Sequence, residues 1–193
     1  VLEIESLTTE YNRSPALHNL LGVCRASQKG RTDRDTKYAL DDFEKAFYKD
    51  NFGEISLESL CNHIKLCAEM GRKDSELLNN MLTSQKMYLK AEKKFSENHR
   101  YLVHGIDLYK YLIKHEEKIT KVEKILKLNG LNKTFGTSYI TSQMYLSNWK
   151  QKNFAEFQKK FSNLFRVLNS KKLSKIDITK KKIKIGFFSP DFK

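Results

Sequence analysis

The chain has 193 residues and a mass of 22.7 kDa, enough to bury one core or two small ones without disulfide or metal staples. Charged residues make up 31% and apolar residues 39%, and no stretch approaches the roughly 20 apolar residues that span a bilayer, so a membrane-spanning helix is excluded and no membrane partner is expected. The net charge of +13 is concentrated near the end, where residues 150–193 hold thirteen Lys or Arg against three acids, Glu156, Asp177 and Asp191.

The first element is predicted over residues 14–30. Ser14 suits an N-cap and Pro15 the first helical position; Leu17, Leu20, Leu21 and Cys24 follow at helical spacing, and Gly30 stops the run. A second helix is predicted over 35–49, with Ala39, Phe43, Ala46 and Phe47 on one stripe, acids at its start and Lys near its end, as the helix dipole favours. Residues 55–71 repeat the first pattern with Leu57, Leu60, Ile64, Cys67 and Ala68 before Gly71-Arg72, which stands 41 residues after Gly30-Arg31. A partner helix is expected at about 74–94. A looser pair follows at 99–116 and 119–129, with Leu102, Ile106, Tyr109 and Ile113, then Val122, Ile125 and Leu126, facing inward. Six helices in three pairs predict a mainly α fold, an α-solenoid of paired antiparallel helices over residues 1–130.

In the first pair, Asn19, Leu20, Leu21 and Gly22 match the N-L-x-G portion of a tetratricopeptide repeat, and Ala39, Phe43 and Ala46 match its A-x₃-F-x₂-A portion. The pair resembles that repeat, with two departures: about five extra residues between the helices, within Arg31 to Thr36, and Asn51 where proline ends the unit. The second and third pairs keep only the helical pattern.

After Gly130 the texture changes. Residues 131–148 read as short polar and aromatic stretches, Trp149 is the only tryptophan, and Asn153 caps one more helix over 153–169. That helix carries Phe154, Phe157, Phe161, Leu164, Phe165 and Leu168 on one side, a stripe expected to pack against a neighbouring domain. Residues 170–182 are Lys-rich and read as a solvated linker, so 131–182 is a helical connector with a basic linker. Ile183 to Phe188 then form an apolar run bounded by Ser189-Pro190, which reads as a buried β-strand and a turn, the opening of a new α/β domain over 183–193. Ligands of doubly wound α/β domains sit at the carboxyl ends of strands, so Ser189, Pro190, Asp191 and Phe192 are the candidate acceptor- or donor-site loop. Gly186 lets the strand approach a neighbouring backbone. Val1 at the start and an uncovered strand at the end read as a piece of a longer chain.

Lys182, Ile183, Lys184, Ile185, Gly186, Phe187, Phe188, Ser189, Pro190, Asp191 and Phe192 resemble the strand and turn that open the catalytic region of the O-linked N-acetylglucosamine transferase and SPINDLY family, a close match over about a dozen residues that the upstream order of repeat helices, the N-W-K segment at Asn148 to Lys150, a helix and a basic linker supports loosely. In that family tetratricopeptide repeats lead into a two-domain α/β (GT-B) glycosyltransferase. The resemblance implies an inverting transfer of N-acetylglucosamine from UDP-GlcNAc to Ser or Thr of a protein acceptor bound by the helical repeats, with no metal and no other cofactor; plant SPINDLY proteins use fucose instead. It also implies that the nucleotide-binding residues lie beyond Lys193 and that this stretch alone is inactive. Asp191 either orients an acceptor-side group or caps a following helix. The rival reading is a non-catalytic repeat adaptor that binds a protein partner.

Other apparent sites carry less. Asp33-Arg34-Asp35 spells a metal-binding D-x-D but precedes a repeat helix, where such acids serve as helix-start residues. His99, His104 and His115 do not share a face at ligand spacing, and Cys24, Cys61 and Cys67 lack the C-x₂₋₄-C spacing of zinc sites, so all three cysteines read as core residues. The basic block could attract nucleic acid, but 29 of the 36 basic residues are Lys and only seven are Arg, the better reader of phosphate and base edges. A protein partner is therefore expected, not nucleic acid. With no signal peptide and no disulfide framework visible, the expected setting is cytoplasmic.

Overall fold

A computed structural model describes residues 14–70, 75–130, 132–146, 155–159 and 161–162, and every regular element among them is helical. The strand predicted at 183–188, the candidate loop Ser189, Pro190, Asp191 and Phe192, the basic linker, Gly71-Arg72 and Trp149 all lie outside the described residues. Seven helices follow in order: α1 (Pro15–Ala26), α2 (Asp33–Lys49), α3 (Glu54–Met70), α4 (Ser75–Phe95), α5 (His99–Tyr111), α6 (His115–Asn129) and α7 (Lys133–Gln143). Residues 155–159 and 161–162 are helical as well.

Local chemistry sets most of the helix starts. Ser14, Asn98 and Asn132 each accept a hydrogen bond from the backbone N–H three residues on, satisfying one of the donors a helix leaves orphaned at its first turn. At α2, Thr32 Oγ1 accepts from Asp35 N (3.2 Å) while the Asp35 carboxylate accepts from Thr32 N (3.0 Å), a reciprocal capping box. The D-x-D acids are thus the first and third residues of a helix, and the bonds from Thr32 hold the Asp35 carboxyl below the usual range.

Each helix packs on the next in the chain; in addition α1 lies on α3, α3 on α5, and α4 reaches back to α2. One continuous core results, running from Ala39, Phe43 and Phe47 on α2 through Leu60, Ile64 and Cys67 on α3 and Met87 and Tyr88 on α4 to Leu102, Leu108, Val122 and Ile125 on α5 and α6. Glycines allow the closest approaches. A Cβ on Gly22 would lie 2.5 Å from the Phe43 ring, one on Gly105 2.0 Å from the Tyr88 hydroxyl, and one on Gly136 2.0 Å from the Phe161 ring.

The helix ends differ from the sequence expectation in three places. α1 stops at Ala26, four residues before Gly30, because Arg31 reaches back to donate to the Ala26 carbonyl (2.6 Å) and closes the turn there. The break in the third pair falls at Leu112–Lys114, so Ile113 is not an inward residue: it has φ +58°, is 67% exposed, and α6 begins at His115. Lys114 N donates to the Tyr109 carbonyl (2.9 Å) and Ile113 N to the Lys110 carbonyl (3.3 Å), the paired bonds of a Schellman turn. Finally, residues 131–148, read as short polar and aromatic stretches of the helical connector with no helix placed among them, contain α7, which packs on α6.

Candidate functional site

The buried face of α1 is polar as well as apolar. His18, Asn19, Leu21 and Gly22 are buried, whereas Leu20, expected inside, is 49% exposed. The reason is that α1 rests on two neighbours at once, so its covered face is centred between them. Toward α3, Asn19 Oδ1 accepts from Ser59 Oγ and Asn62 Nδ2, both at 3.2 Å.

Toward α2 an ionic cluster forms. His18 and Arg25 stand seven residues apart on α1, as do Asp42 and Lys49 on α2, so each pair shares one helix face. Lys49 Nζ lies 3.1 Å from His18 Nε2, and an ammonium can only donate, so Nε2 is the acceptor and the ring proton is on Nδ1. That N–H faces Asp42 Oδ1 at 3.3 Å, and the other carboxylate oxygen accepts from Arg25. The imidazole is fully buried and the Asp42 side chain is 4% exposed. Burial pushes the His18 imidazole below its ordinary value, and Lys49 and Lys45 push the same way; burial likewise pushes the Asp42 carboxyl up, against Arg25 and His18. His18 is therefore a neutral, tautomer-fixed imidazole strung between a carboxylate and an amine.

A second buried cluster joins α3 to α4. His63 Nδ1 lies 2.7 Å from Ser84 Oγ and 3.7 Å from Cys67 Sγ. Burial pushes His63 down to about 4 and the Cys67 thiol up to about 12, so the pair stays imidazole and thiol, without the thiolate that nucleophilic chemistry needs. Cys61 is buried likewise and raised to about 11, while Cys24 is half-buried.

Between α1 and α3 a groove opens to solvent. Val23, Ala26 and Ser27 form one wall, Asn62, Lys65, Leu66 and Glu69 the other, and the Phe43 ring the floor. Its volume of about 150 Å³ suits one inserted side chain and falls well short of the roughly 300 Å³ at which small-molecule pockets begin. The remaining histidines stand apart: His99 Nδ1 meets Asn129 Nδ2 at 2.8 Å, His115 stacks on Tyr145, and His104 faces Asp107 and Arg100. Among the described residues no three His, Cys, Asp or Glu side chains are placed to share a metal ion, and no helix is long and apolar enough to cross a membrane. Of the predicted Phe stripe, Phe157 packs on Tyr139 with ring centroids 4.3 Å apart and Phe161 is buried over Gly136, so this part covers α7.

Sequence reasoning did not find the α1–α2 cluster, although one signal was present: Asp42 falls on the stripe that carries Ala39, Phe43 and Ala46, and a carboxylate there requires partners. No family model matches this chain, and no curated protein or solved structure matches it either.

Proposed function

We infer that α1 to α6 are three repeat-like helix pairs of an α-solenoid that binds a protein, and that they belong to a sugar-transferring enzyme similar to O-linked N-acetylglucosamine transferases and SPINDLY proteins. The observation that carries the binding half is the order of packing: α1 rests on α3 and α3 on α5, while each of α1, α3 and α5 also pairs with the helix that follows it. Stacked helix pairs of a solenoid contact their neighbours in this way. Of the positions that suggested the repeat, Asn19, Leu21, Gly22, Ala39, Phe43 and Ala46 are buried and Gly22 lies directly under the Phe43 ring, whereas Leu20, the leucine of the N-L-x-G portion, is exposed. The α1–α3 groove offers a protein segment a slot for one side chain.

The catalytic half rests on the resemblance of residues 182–192 alone. The reaction would be transfer of N-acetylglucosamine from UDP-GlcNAc to a Ser or Thr hydroxyl of the acceptor held on the helices, with the departing diphosphate stabilised by helix N-termini and basic side chains. The α1–α3 groove needs no catalytic domain, which favours the adaptor as the second reading. The coding sequence beyond the Lys193 codon separates them. About 300 further residues of alternating strands and helices support the enzyme; a stop codon there leaves the adaptor. For the enzyme, the whole encoded protein should transfer radiolabel from UDP-GlcNAc to protein, and transfer from no UDP- or GDP-sugar would sink that half alone.

A further inference from the structure

The outer face of α4 carries a row of side chains that the core leaves uncovered. Leu78, Leu82 and Leu89 are each between 40% and 57% exposed, although α4 packs on α2, α3 and α5. At about 100° per residue the three fall within about 40° of one another and span roughly 16 Å along the helix. Exposed leucines met singly are ordinary, but a contiguous row marks a contact surface. Lysines line one side of it. Lys93, Lys86, Lys90 and Lys94 follow the leucines around the helix, from about 60° to about 160° away from Leu78. All four are exposed, Lys90 leans toward α2 with its ammonium 4.6 Å from the Tyr48 ring, and none of the four meets a carboxylate among the described residues. The other side of the row holds the neutral Gln85, and Glu92, whose carboxylate already accepts from Lys121 at 2.5 Å.

We propose that this face of α4 docks an amphipathic helix of an acidic partner protein, with the partner's apolar anchors along Leu78, Leu82 and Leu89 and its carboxylates on Lys86, Lys90, Lys93 and Lys94. Helix-on-helix recognition reads anchors at i, i+3, i+4 and i+7, and about three turns of a partner helix match the length of the leucine row. Charge decides which helix fits. A partner that lays acids along the lysine side gains Coulomb attraction in the same geometry that covers the leucines, whereas a basic partner is repelled there. The surface is separate from the α1–α3 groove, whose lining includes no residue of α4, and it stands whether or not that groove is used.

Two other occupants suit the face less well. A second copy of the chain would cover the leucines, but α4 has no acidic residue between Leu78 and Lys90, so self-pairing through this row leaves the lysines unmatched. A bilayer requires a broad apolar face that sinks into the acyl boundary. The leucine row here is only about 40° wide, lysines adjoin it directly, and α4 is held by three neighbouring helices.

The test titrates the 193-residue chain into a fluorescein-labelled synthetic helix of about 15 residues, with leucines on one face and glutamates beside them, and reads anisotropy at low salt. This peptide is expected to bind about tenfold more tightly than the same peptide with lysine for every glutamate. Equal affinities, or no binding of the glutamate peptide, overturn the proposal without recourse to any variant. Its affinity should fall about tenfold as salt rises from about 50 to 500 mM, and a flat salt dependence removes the role of the lysines. Leu82→Gln with Leu89→Gln, and separately Lys86→Glu with Lys93→Glu, should each weaken binding about tenfold, with helix content by circular dichroism unchanged because all four side chains are exposed. Undiminished binding by either pair overturns the assignment to α4. Ser27→Arg, in the wall of the α1–α3 groove, should leave the affinity as it was; a loss confined to that variant places the peptide in the groove instead. Co-sedimentation with phosphatidylcholine vesicles holding about 30% phosphatidylserine, abolished by the leucine pair and unaccompanied by peptide binding, gives the face to a bilayer. A dimer in sedimentation velocity, abolished by the same pair and again without peptide binding, gives it to a second copy.

Discussion

The α1–α2 seam and the α4–α5–α6 seam solve the same problem with opposite materials. Both contain a glycine beneath a ring, Gly22 under Phe43 and Gly105 under Tyr88, and both contain a basic side chain bound to a carboxylate. In the first seam the carboxylate is the buried member: Asp42 is 4% exposed and Arg25 14%. In the second, Lys121 is buried at 7% and Glu92 is open at 40%, and the cation lies 5.4 Å from the Tyr88 ring centre and 6.0 Å from that of Tyr101. Those two rings are stacked 3.9 Å apart. Two ion pairs of similar length thus differ in what their loss leaves behind. Removing Asp42 takes the carboxylate away from the fully buried His18 imidazole, while Arg25 keeps the Tyr38 ring 5.3 Å from its guanidinium; removing Glu92 leaves an ammonium that still has two aromatic faces and no buried imidazole beside it.

The largest effect should come from breaking this symmetry directly. Asp42→Ala is expected to cost about 3–5 kcal/mol of unfolding free energy, the loss of one partner from a buried pair. Glu92→Ala should cost about 1 kcal/mol or less, because solvent already screens its carboxylate. Urea unfolding of both variants measures the difference, and equal losses would show that burial of the carboxylate is not what distinguishes the seams.

Acid should find the buried imidazoles next. Burial holds His63 at about 4 against an ordinary 6.5, so the fold favours its neutral form. The contribution is complete above pH 6.5 and is lost as pH falls toward 4, an interval worth about 3 kcal/mol. Asp42 acts in the opposite sense, since a carboxyl raised by burial is relieved by protonation. The His63 part is isolated by His63→Gln, whose amide can still reach Ser84. Unfolding free energies from urea titrations should fall between pH 7 and 4 by about 2–3 kcal/mol less in the variant than in the natural chain, and parallel pH slopes would contradict the assignment.

The aromatic seam is tested by its glycine. Gly105→Ala places a methyl 2.0 Å from the Tyr88 hydroxyl, which is buried without a hydrogen-bond partner. Overpacking should cost about 1–3 kcal/mol. Tyr88→Phe, which deletes an unsatisfied group, should stabilise by about 1 kcal/mol. The double variant should be more stable than the two changes sum to, because deleting the hydroxyl removes the shortest clash, although the methyl would still lie 2.5 Å from the ring carbon Cζ and the ring must shift. Additivity in thermal unfolding would mean that the two groups do not meet.

What could be read in the sequence follows from how one-sided each helix is. The stripe of Ala39, Phe43, Ala46 and Phe47 stands out because α2 buries one apolar face, and it is buried as expected. The inner face of α1 is harder to read, since polar His18 and Asn19 occupy it and are satisfied only by partners 24 to 43 positions away in the chain. α7 is hidden for another reason. Its Thr, Ser and Gly residues are poor helix formers, and it stands because Phe135 and Tyr139 pack on the core while Gly136 lies under Phe161. The candidate loop Ser189 to Phe192, placed by its position after an apolar run and by resemblance to a known strand and turn, lies outside the described residues.

The junction between α5 and α6, which ends the aromatic seam, offers the smallest change. Ile113 holds a left-handed backbone, φ +58°, at the position of a Schellman turn where glycine is usual, and a β-branched side chain crowds its own backbone there. Its side chain is 67% exposed, so little burial would be lost on removing it. Ile113→Gly relieves the strain at some cost in unfolded-chain entropy, and the net should be a gain of about 1 kcal/mol, read as a rise of a few degrees in the thermal midpoint. The same substitution at Leu112, whose φ is −78°, has no strain to relieve and should lower the midpoint. If both variants melt lower, the turn is held by contacts of the Ile113 side chain and not by the backbone bonds of Lys114 and Ile113.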